Sequence, residues 1–171
     1  MVKPLAENNP DTYKPSCAWI LGHIGDRYAN INQYSKAEEY YLKTLKIYKQ
    51  LAVTNPETFL PYYVESLGNI SYYAIFNSHF TDAERYANEA LSLDSTQTWV
   101  KTNLVTSLLF QGRYAEAEQI ALEIMNIELN GKPIKDAILE DLNDFESKGI
   151  IPSDRMADVE RLRKVLLNYE Q

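Results

Sequence analysis

The sequence predicts an all-α protein built from about three stacked antiparallel helix hairpins, followed by a C-terminal helical cap. Three observations support this fold class. A unit of 46 residues occurs twice in the first half of the chain, part of it returns after a further 34 residues, and long stretches lack both glycine and proline. Only six glycines occur among 171 residues, which favours helices over a turn-rich β fold.

The duplication needs no gap. Residues 5–15 (LAENNPDTYKP) align with residues 51–61 (LAVTNPETFLP). The same offset of 46 residues pairs Leu21 with Leu67, Gly22 with Gly68, Ile24 with Ile70, Ala37 with Ala83, Glu38 with Glu84, and Leu45 with Leu91. Because chance does not sustain one register over such a length, we interpret the first 96 residues as two copies of one unit.

A third copy follows at a shorter spacing. Phe80-x-x-Ala83-Glu84 recurs 34 residues later as Tyr114-x-x-Ala117-Glu118. This period, with helix–turn–helix patterning, resembles the tetratricopeptide repeat family. The motif positions are Leu21, Ile24, Gly25, Tyr28, Ala37, Tyr41 and Leu45, then Leu67, Ile70, Ser71, Ala74, Ala83, Ala87 and Leu91, then Leu104, Val105, Leu108, Ala117 and Ala121. The resemblance implies a right-handed α-solenoid in which each hairpin buries its apolar stripe against the next.

The sequence departs from the family pattern in two respects. The third copy has Lys101 where the first two have leucine, and Val105 where a small residue is usual. No copy has proline at the usual end of its second helix. In the first copy, the helix is therefore predicted to continue past Lys49 until Asn55-Pro56 ends it. The longer hairpin resembles the extended repeats of bacterial arrays and of kinesin-light-chain-like proteins.

Proline and capping patterns suggest where the helices begin. Pro15 and Pro61 are expected in first turns, while Ser35-x-x-Glu38 and Thr81-x-x-Glu84 predict capping boxes. The predicted helices cover 15–31, 34–54, 61–77, 81–94, 97–111 and 114–128. We therefore assign 1–130 to the repeat array, with repeats near 15–54, 61–94 and 97–128, and 131–171 to a two-helix cap.

The predicted cap contains two amphipathic helices after Asn130-Gly131. Apolar residues recur at helical spacing, as Ile134, Ile138, Leu142 and Phe145 and then as Met156, Val159, Leu162, Val165 and Leu166. At the other end of the chain, Leu5-Ala6 matches Leu51-Ala52, the tail of a second helix. We therefore expect the chain to begin within a repeat and to be a segment of a longer protein.

Charge and composition argue against several functions. The net charge is −7, and residues 51–130 contain three basic residues against ten acidic ones. Nucleic-acid binding is therefore not expected, because it requires clustered Lys and Arg. No apolar run is long enough to span a membrane. The lone Cys17 is compatible with a reducing compartment, so the predicted location is the cytoplasm unless an upstream signal exists.

Residues for catalysis or metal binding are not apparent. His23 and His79 are far apart in sequence, and neither has the spacing of a metal-binding motif. No phosphate-binding or nucleophile motif is present. The sequence therefore predicts a protein that is not an enzyme and uses no cofactor and no metal.

One row of residues on the first helix of each hairpin lies about 200° from the buried stripe. In the tetratricopeptide family, such a row resembles the lining of a concave groove that holds partner peptides. The candidate residues combine amide or imidazole groups with aromatic rings: His23, Asp26, Asn69, Tyr72, Phe76, Asn103, Thr106 and Phe110. The alternative is that they only contact neighbouring helices.

The predicted function is scaffolding: the groove binds a peptide or protein segment, neutral or basic because residues 51–130 are acidic. The alternative is an oligomerisation or regulatory segment of a longer signalling protein or enzyme whose active domain lies upstream. Self-association is compatible with either function.

Overall fold

The computed structural model describes residues 10–168 and the side chains of residues 13–168. The predicted all-α solenoid is confirmed. The helices are α1 Pro10–Asn30, α2 Tyr34–Thr54, α3 Pro56–Phe76, α4 Phe80–Leu93, α5 Thr98–Phe110, α6 Tyr114–Ile124, α7 Ile134–Ser147 and α8 Met156–Asn168. A short 3-10 turn, Ser153–Arg155, precedes α8, and two strands, β1 Glu128–Leu129 and β2 Lys132–Pro133, precede α7. Each helix from α1 to α6 packs against the next.

The hairpin formed by α2 and α3 is longer than the one formed by α4 and α5, as predicted. The helices α1, α2 and α3 have 21 residues each, whereas α4 and α5 have 14 and 13. Residues 49–53 are helical. The small residues lie where expected: Ala37, Ala83 and Ala117 are fully buried. A Cβ on Gly25 would lie 2.8 Å from the Tyr41 ring, so only glycine allows this approach.

The predicted helix starts at Pro15 and Pro61 are wrong. Both prolines lie inside helices that begin five residues earlier, at Pro10 and Pro56. The stronger signal is Asn55, whose side chain accepts a hydrogen bond from the Thr58 backbone N–H at 3.2 Å. Because Pro56 occupies the first turn, its missing N–H costs nothing there. Asn55 alone therefore joins α2 to α3.

The predicted capping boxes are also wrong. The residues before α2 and α4 are Gln33 and His79, and neither side chain caps its helix. Instead, Ser35 Oγ donates to Asn77 Oδ1 at 3.0 Å, and Glu38 accepts from Asn77 Nδ2 at 2.6 Å. These side chains therefore connect one hairpin turn to the next.

Glu84 makes the equivalent contact one repeat later. Its carboxylate accepts from Gln111 Nε2 at 2.9 Å and pairs with Arg113 at 2.6 Å. The glutamate that looked like a capping residue thus connects successive repeats.

The chain leaves the repeat pattern earlier than predicted, because α6 ends at Ile124 instead of residue 128. Asn130 and Gly131 have φ of 54° and 78° and form the two-residue turn of a small β-hairpin, which the sequence analysis did not predict. The two further helices, α7 and α8, are present. Their apolar residues Ile138, Leu142 and Leu162 are fully buried against the repeat array. The domain boundary at residue 130 stays a prediction.

No helix in the described part of the chain is both long and apolar enough to cross a membrane.

Candidate functional site

A cavity of about 650 Å³ opens on the face formed by the first helices of the hairpins. Its walls come from α1, α2, α3 and α5, with Leu129 and two residues of α7. Five of the eight predicted binding residues line it: His23, Asp26, Asn69, Tyr72 and Asn103. The helical periodicity therefore brings together residues from three copies in one concave site.

The α1 wall combines a ring pair with a carboxylate. The rings of Trp19 and His23 meet edge to face at 4.1 Å, and His23 Nδ1 lies 3.3 Å from Asp26 Oδ2. Asp26 also accepts a hydrogen bond from the buried Tyr41 hydroxyl of α2. Burial and this bond raise the pKa of Tyr41 far above its usual range, so its hydroxyl remains a donor. Trp19 itself is 63% exposed.

Asn69 and Asn103 occupy equivalent positions but have different environments. Asn103 is only 3% exposed, and its Nδ2 donates to the Gly68 carbonyl at 3.0 Å. Asn69 is half-buried, and its side-chain amide makes no hydrogen bond to any residue from 13 to 168. Both residues line the cavity, but of the two only Asn69 has an amide with no hydrogen bond to the described residues.

Tyr72 is covered on one side by α7. Its hydroxyl donates to Asp141 Oδ1 at 3.5 Å, and its ring centroid lies 5.9 Å from that of Phe145. Burial, followed by the charge of Asp141, raises the pKa of Tyr72 far above its usual range. The phenol therefore stays protonated and presents its O–H to the cavity wall.

The remaining three predicted residues lie outside the cavity. Phe76, Thr106 and Phe110 are buried, and the two phenylalanines contact Phe145 with ring centroids 4.8 and 5.8 Å apart. The helix α7 therefore covers this end of the row. The sequence could not show this, because an aromatic side chain that binds a partner and one that packs under a cap have the same helical spacing.

Several lining residues were absent from the predicted set. Tyr62 of α3 is 47% exposed, and Tyr41 and Tyr48 reach the cavity from α2. Asp141 enters from the helix predicted only as a cap. The high tyrosine content, 13 residues, was the available signal for the aromatic character of the site.

The cavity is acidic. Asp26, Glu65 and Asp141 line it, and no Lys or Arg of the described chain does so. Burial raises the pKa of Asp141 to about 7. Among residues 13–168, no group of three or more His, Cys, Asp or Glu side chains is arranged to hold a metal ion.

Stacked helix hairpins around a concave cavity define a helical repeat protein. Residues 17–55, which include most of α1 and all of α2, match the family model described as tetratricopeptide repeat. This match supports the resemblance of the repeats to the tetratricopeptide repeat family. This match does not confirm the kinesin-light-chain-like subtype. A search of curated proteins found no significant match.

Tetratricopeptide repeats generally mediate protein–protein interactions and scaffolding, and the all-helical repeat fold is typically a non-catalytic interaction module. These repeats bind proteins or peptides.

Proposed function

We propose that the concave cavity binds a peptide segment of a partner protein. The observation that carries this proposal is the free amide of Asn69 on the floor of an open cavity with exposed aromatic rings around it. An asparagine amide can donate to and accept from a peptide backbone. Trp19 and Tyr62 offer large exposed rings that would bury apolar side chains of the segment.

The contrast with Asn103 supports this assignment. Its amide is used internally to connect α5 to α3, as expected for a purely structural asparagine. Asn69 has the same position in its repeat but no internal partner in the described residues. A peptide backbone would supply the missing hydrogen bonds.

The binding site covers His23, Asp26, Asn69 and Tyr72, with Trp19 at its edge. Phe76, Thr106 and Phe110 support it from below as part of the core. The acidic lining favours a neutral or basic segment.

The experiment is selection of random peptides on a display library against the full chain, followed by affinity measurement with a selected peptide. Asn69→Ala should weaken binding about 3–10-fold, because one net hydrogen bond contributes about 0.5–1.5 kcal/mol. Asn88→Ala, which changes an exposed asparagine of α4 away from the cavity, is the matched control. Selected peptides that bind Asn69→Ala and the wild type equally would place binding elsewhere.

Self-association is the second candidate function, and the exposed apolar residues of α1 and of the turn after it favour it. Ile20 and Ile31 are at least half exposed. Light scattering over a range of protein concentrations tests this candidate. A dimer that dissociates in Ile20→Glu would support it, whereas a monomer at all concentrations would exclude it. A dimer disrupted by Asn69→Ala would instead assign the groove to a second copy of the chain.

A further inference from the structure

Asp141 of α7 lies in the cavity wall without a cation beside it. Three other carboxylates of the same helix have basic partners: Glu140 lies 3.8 Å from Lys132, Glu146 lies 2.7 Å from Arg163, and Asp144 pairs with Lys148. No Lys, Arg or His side chain among the described residues lies within ion-pair distance of Asp141. This carboxylate therefore differs from its neighbours in facing the cavity unpaired.

The hydrogen bonding of Asp141 is also incomplete. The Tyr72 hydroxyl approaches one carboxylate oxygen at 3.5 Å, which is a long contact for an O–H donor. A carboxylate that loses hydration without gaining a cation is destabilised in its charged form. Accordingly, burial raises the pKa of Asp141 to about 7, the Tyr72 bond opposes this shift, and the nearby Asp144 and Glu140 increase it. A cation bound in the cavity would supply the opposite charge that Asp141 lacks among the described residues.

The rest of the cavity favours the same ligand charge. Asp26 and Glu65 line it together with Asp141, and the described lining contains no Lys or Arg. The exposed rings of Trp19 and Tyr62 present faces to which a cation is attracted. An anionic group would be repelled by all three carboxylates. A cationic group would be attracted to them, and no Lys or Arg of the described lining would repel it.

We propose that Asp141 and the Tyr72 hydroxyl form a subsite for a basic side chain, a lysine ammonium or an arginine guanidinium, carried by the peptide segment in the groove. This inference rests on the proposed function, because it assigns the chemistry of one side chain of the bound segment. Asp141 forms the ion pair, and Tyr72 keeps its carboxylate turned toward the cavity.

The first experiment compares peptide selections on three full-length proteins: the wild type, Asp141→Asn and Glu140→Gln. Asp141→Asn removes one charge from the cavity wall. Glu140→Gln removes one charge from the same helix at a side chain that is 72% exposed and outside the cavity. Peptides selected on the wild type and on Glu140→Gln should share a Lys or Arg at one position. On Asp141→Asn that preference should disappear while the apolar positions remain.

The second experiment uses one selected peptide synthesised with Lys, Arg or norleucine at that position. Replacing the basic residue with norleucine should weaken binding to the wild type by at least about tenfold and should change binding to Asp141→Asn little. The stronger of the Lys and Arg peptides identifies the preferred cation.

The third readout is the proton balance, which a merely structural role of Asp141 would not change. Near pH 7 about half of the Asp141 side chains are protonated, because the pKa is about 7. An ion pair lowers that pKa, so binding of the basic peptide should release roughly half a proton. Calorimetry in buffers of different ionisation enthalpy measures this release. The other His, Asp and Glu side chains of the described residues that line the cavity are His23, Asp26 and Glu65. The release should vanish in Asp141→Asn.

The outcomes separate the two proposals. Peptides that bind through Asn69 but show no basic preference, or keep it in Asp141→Asn, overturn the subsite and leave the groove in place. Failure to select any groove-binding peptide overturns both. A melting curve of Asp141→Asn that matches the wild type near pH 5 excludes misfolding as the cause of any loss.

Discussion

The junction between the first helices of successive repeats occurs twice. It is open between α1 and α3 and closed between α3 and α5. Between α3 and α5, the Trp99 ring lies over Gly68 so closely that a Cβ there would be 2.1 Å from the ring. Between α1 and α3, the equivalent positions are Gly22 and Glu65. A Cβ on Gly22 would meet only Thr44, at 3.9 Å. One position that is tryptophan in one copy and glutamate in the other therefore decides whether the space above the glycine is filled or forms the cavity.

The helix α7 also contacts the two junctions differently. Phe145 of α7 contacts Phe76 and Phe110 at the closed junction, whereas Asp141, one turn earlier on the same helix, faces the open cavity. Equivalent positions of the repeat can thus line either the core or a cavity, depending on the side chains that they carry.

The largest expected effect concerns the cap at the closed junction. Phe145→Ala should lower the free energy of unfolding by about 3–5 kcal/mol, because the ring is almost fully buried among other aromatic rings. Trp19→Ala, at the open junction, removes a ring that is mostly exposed and should cost far less. Urea unfolding of both variants tests the comparison. Equal losses would mean that the two junctions do not differ in packing.

The second test uses the pH dependence of stability at the boundary between the junctions. The unfolded chain should release the Asp141 proton near pH 4, whereas the folded chain keeps it until about pH 7. Between these values the folded state binds more protons, so the free energy of unfolding falls as pH rises. Asp141→Asn should remove this loss and be more stable than the wild type at pH 8, by roughly 2–4 kcal/mol.

Urea unfolding at pH 5 and pH 8 measures that difference, with Glu57→Gln, at an exposed carboxylate of α3 outside the cavity, as the control. Parallel pH profiles for Asp141→Asn and the wild type would show that the Asp141 carboxyl titrates normally.

The third test converts the open junction toward the closed one. Glu65→Trp places in α3 the residue that α5 has at Trp99, above Gly22 instead of Gly68. Binding of a selected peptide should fall by at least about tenfold, because the ring occupies the cavity that the peptide needs. The melting temperature should change little. Lys46→Trp, at an exposed site of α2 outside the cavity, controls for the added ring. Unchanged affinity in Glu65→Trp would separate binding from this cavity.

The smallest expected changes in stability concern Gly22 and Gly68, and they have opposite signs. Gly22→Ala should raise stability by up to about 1 kcal/mol, because alanine favours the helix and the space is free. Gly68→Ala should lower it by about 1–2 kcal/mol, since the clash with Trp99 exceeds the same helical gain. Thermal unfolding distinguishes the signs. Two changes of the same sign would contradict the difference in packing.

The sequence was sufficient for the fold and for the helix face that lines most of the cavity. The duplication, the third copy 34 residues later and the small residues at helix–helix contacts are patterns in the local sequence. Tertiary packing preserves the helices that these patterns predict. The helix starts predicted at Pro15 and Pro61 were wrong because the Asn55-Pro56 pair is a stronger start signal than a proline alone. The capping boxes predicted from Glu38 and Glu84 were wrong because these side chains accept hydrogen bonds from the next repeat instead.

The details of the candidate site depended on contacts between distant segments. Asn69 and Asn103 have the same local pattern, and only the neighbouring helix decides which amide is free. Asp141 could not be predicted from its sequence context, because nothing in α7 shows which of its polar residues faces the groove. Its place in the cavity wall follows from how α7 lies on the array.

The single residue that joins α2 to α3 has a mechanical consequence. Each helix is about 32 Å long, so the pair forms two arms that meet at Asn55. Three ring stacks connect the arms along their length: Tyr48 with Tyr62 at 5.3 Å, Tyr41 with Tyr73 at 4.7 Å, and Tyr34 with Phe76 at 4.3 Å. Spreading the arms would separate all three stacks at once. The pair of α2 and α3 is therefore expected to resist spreading.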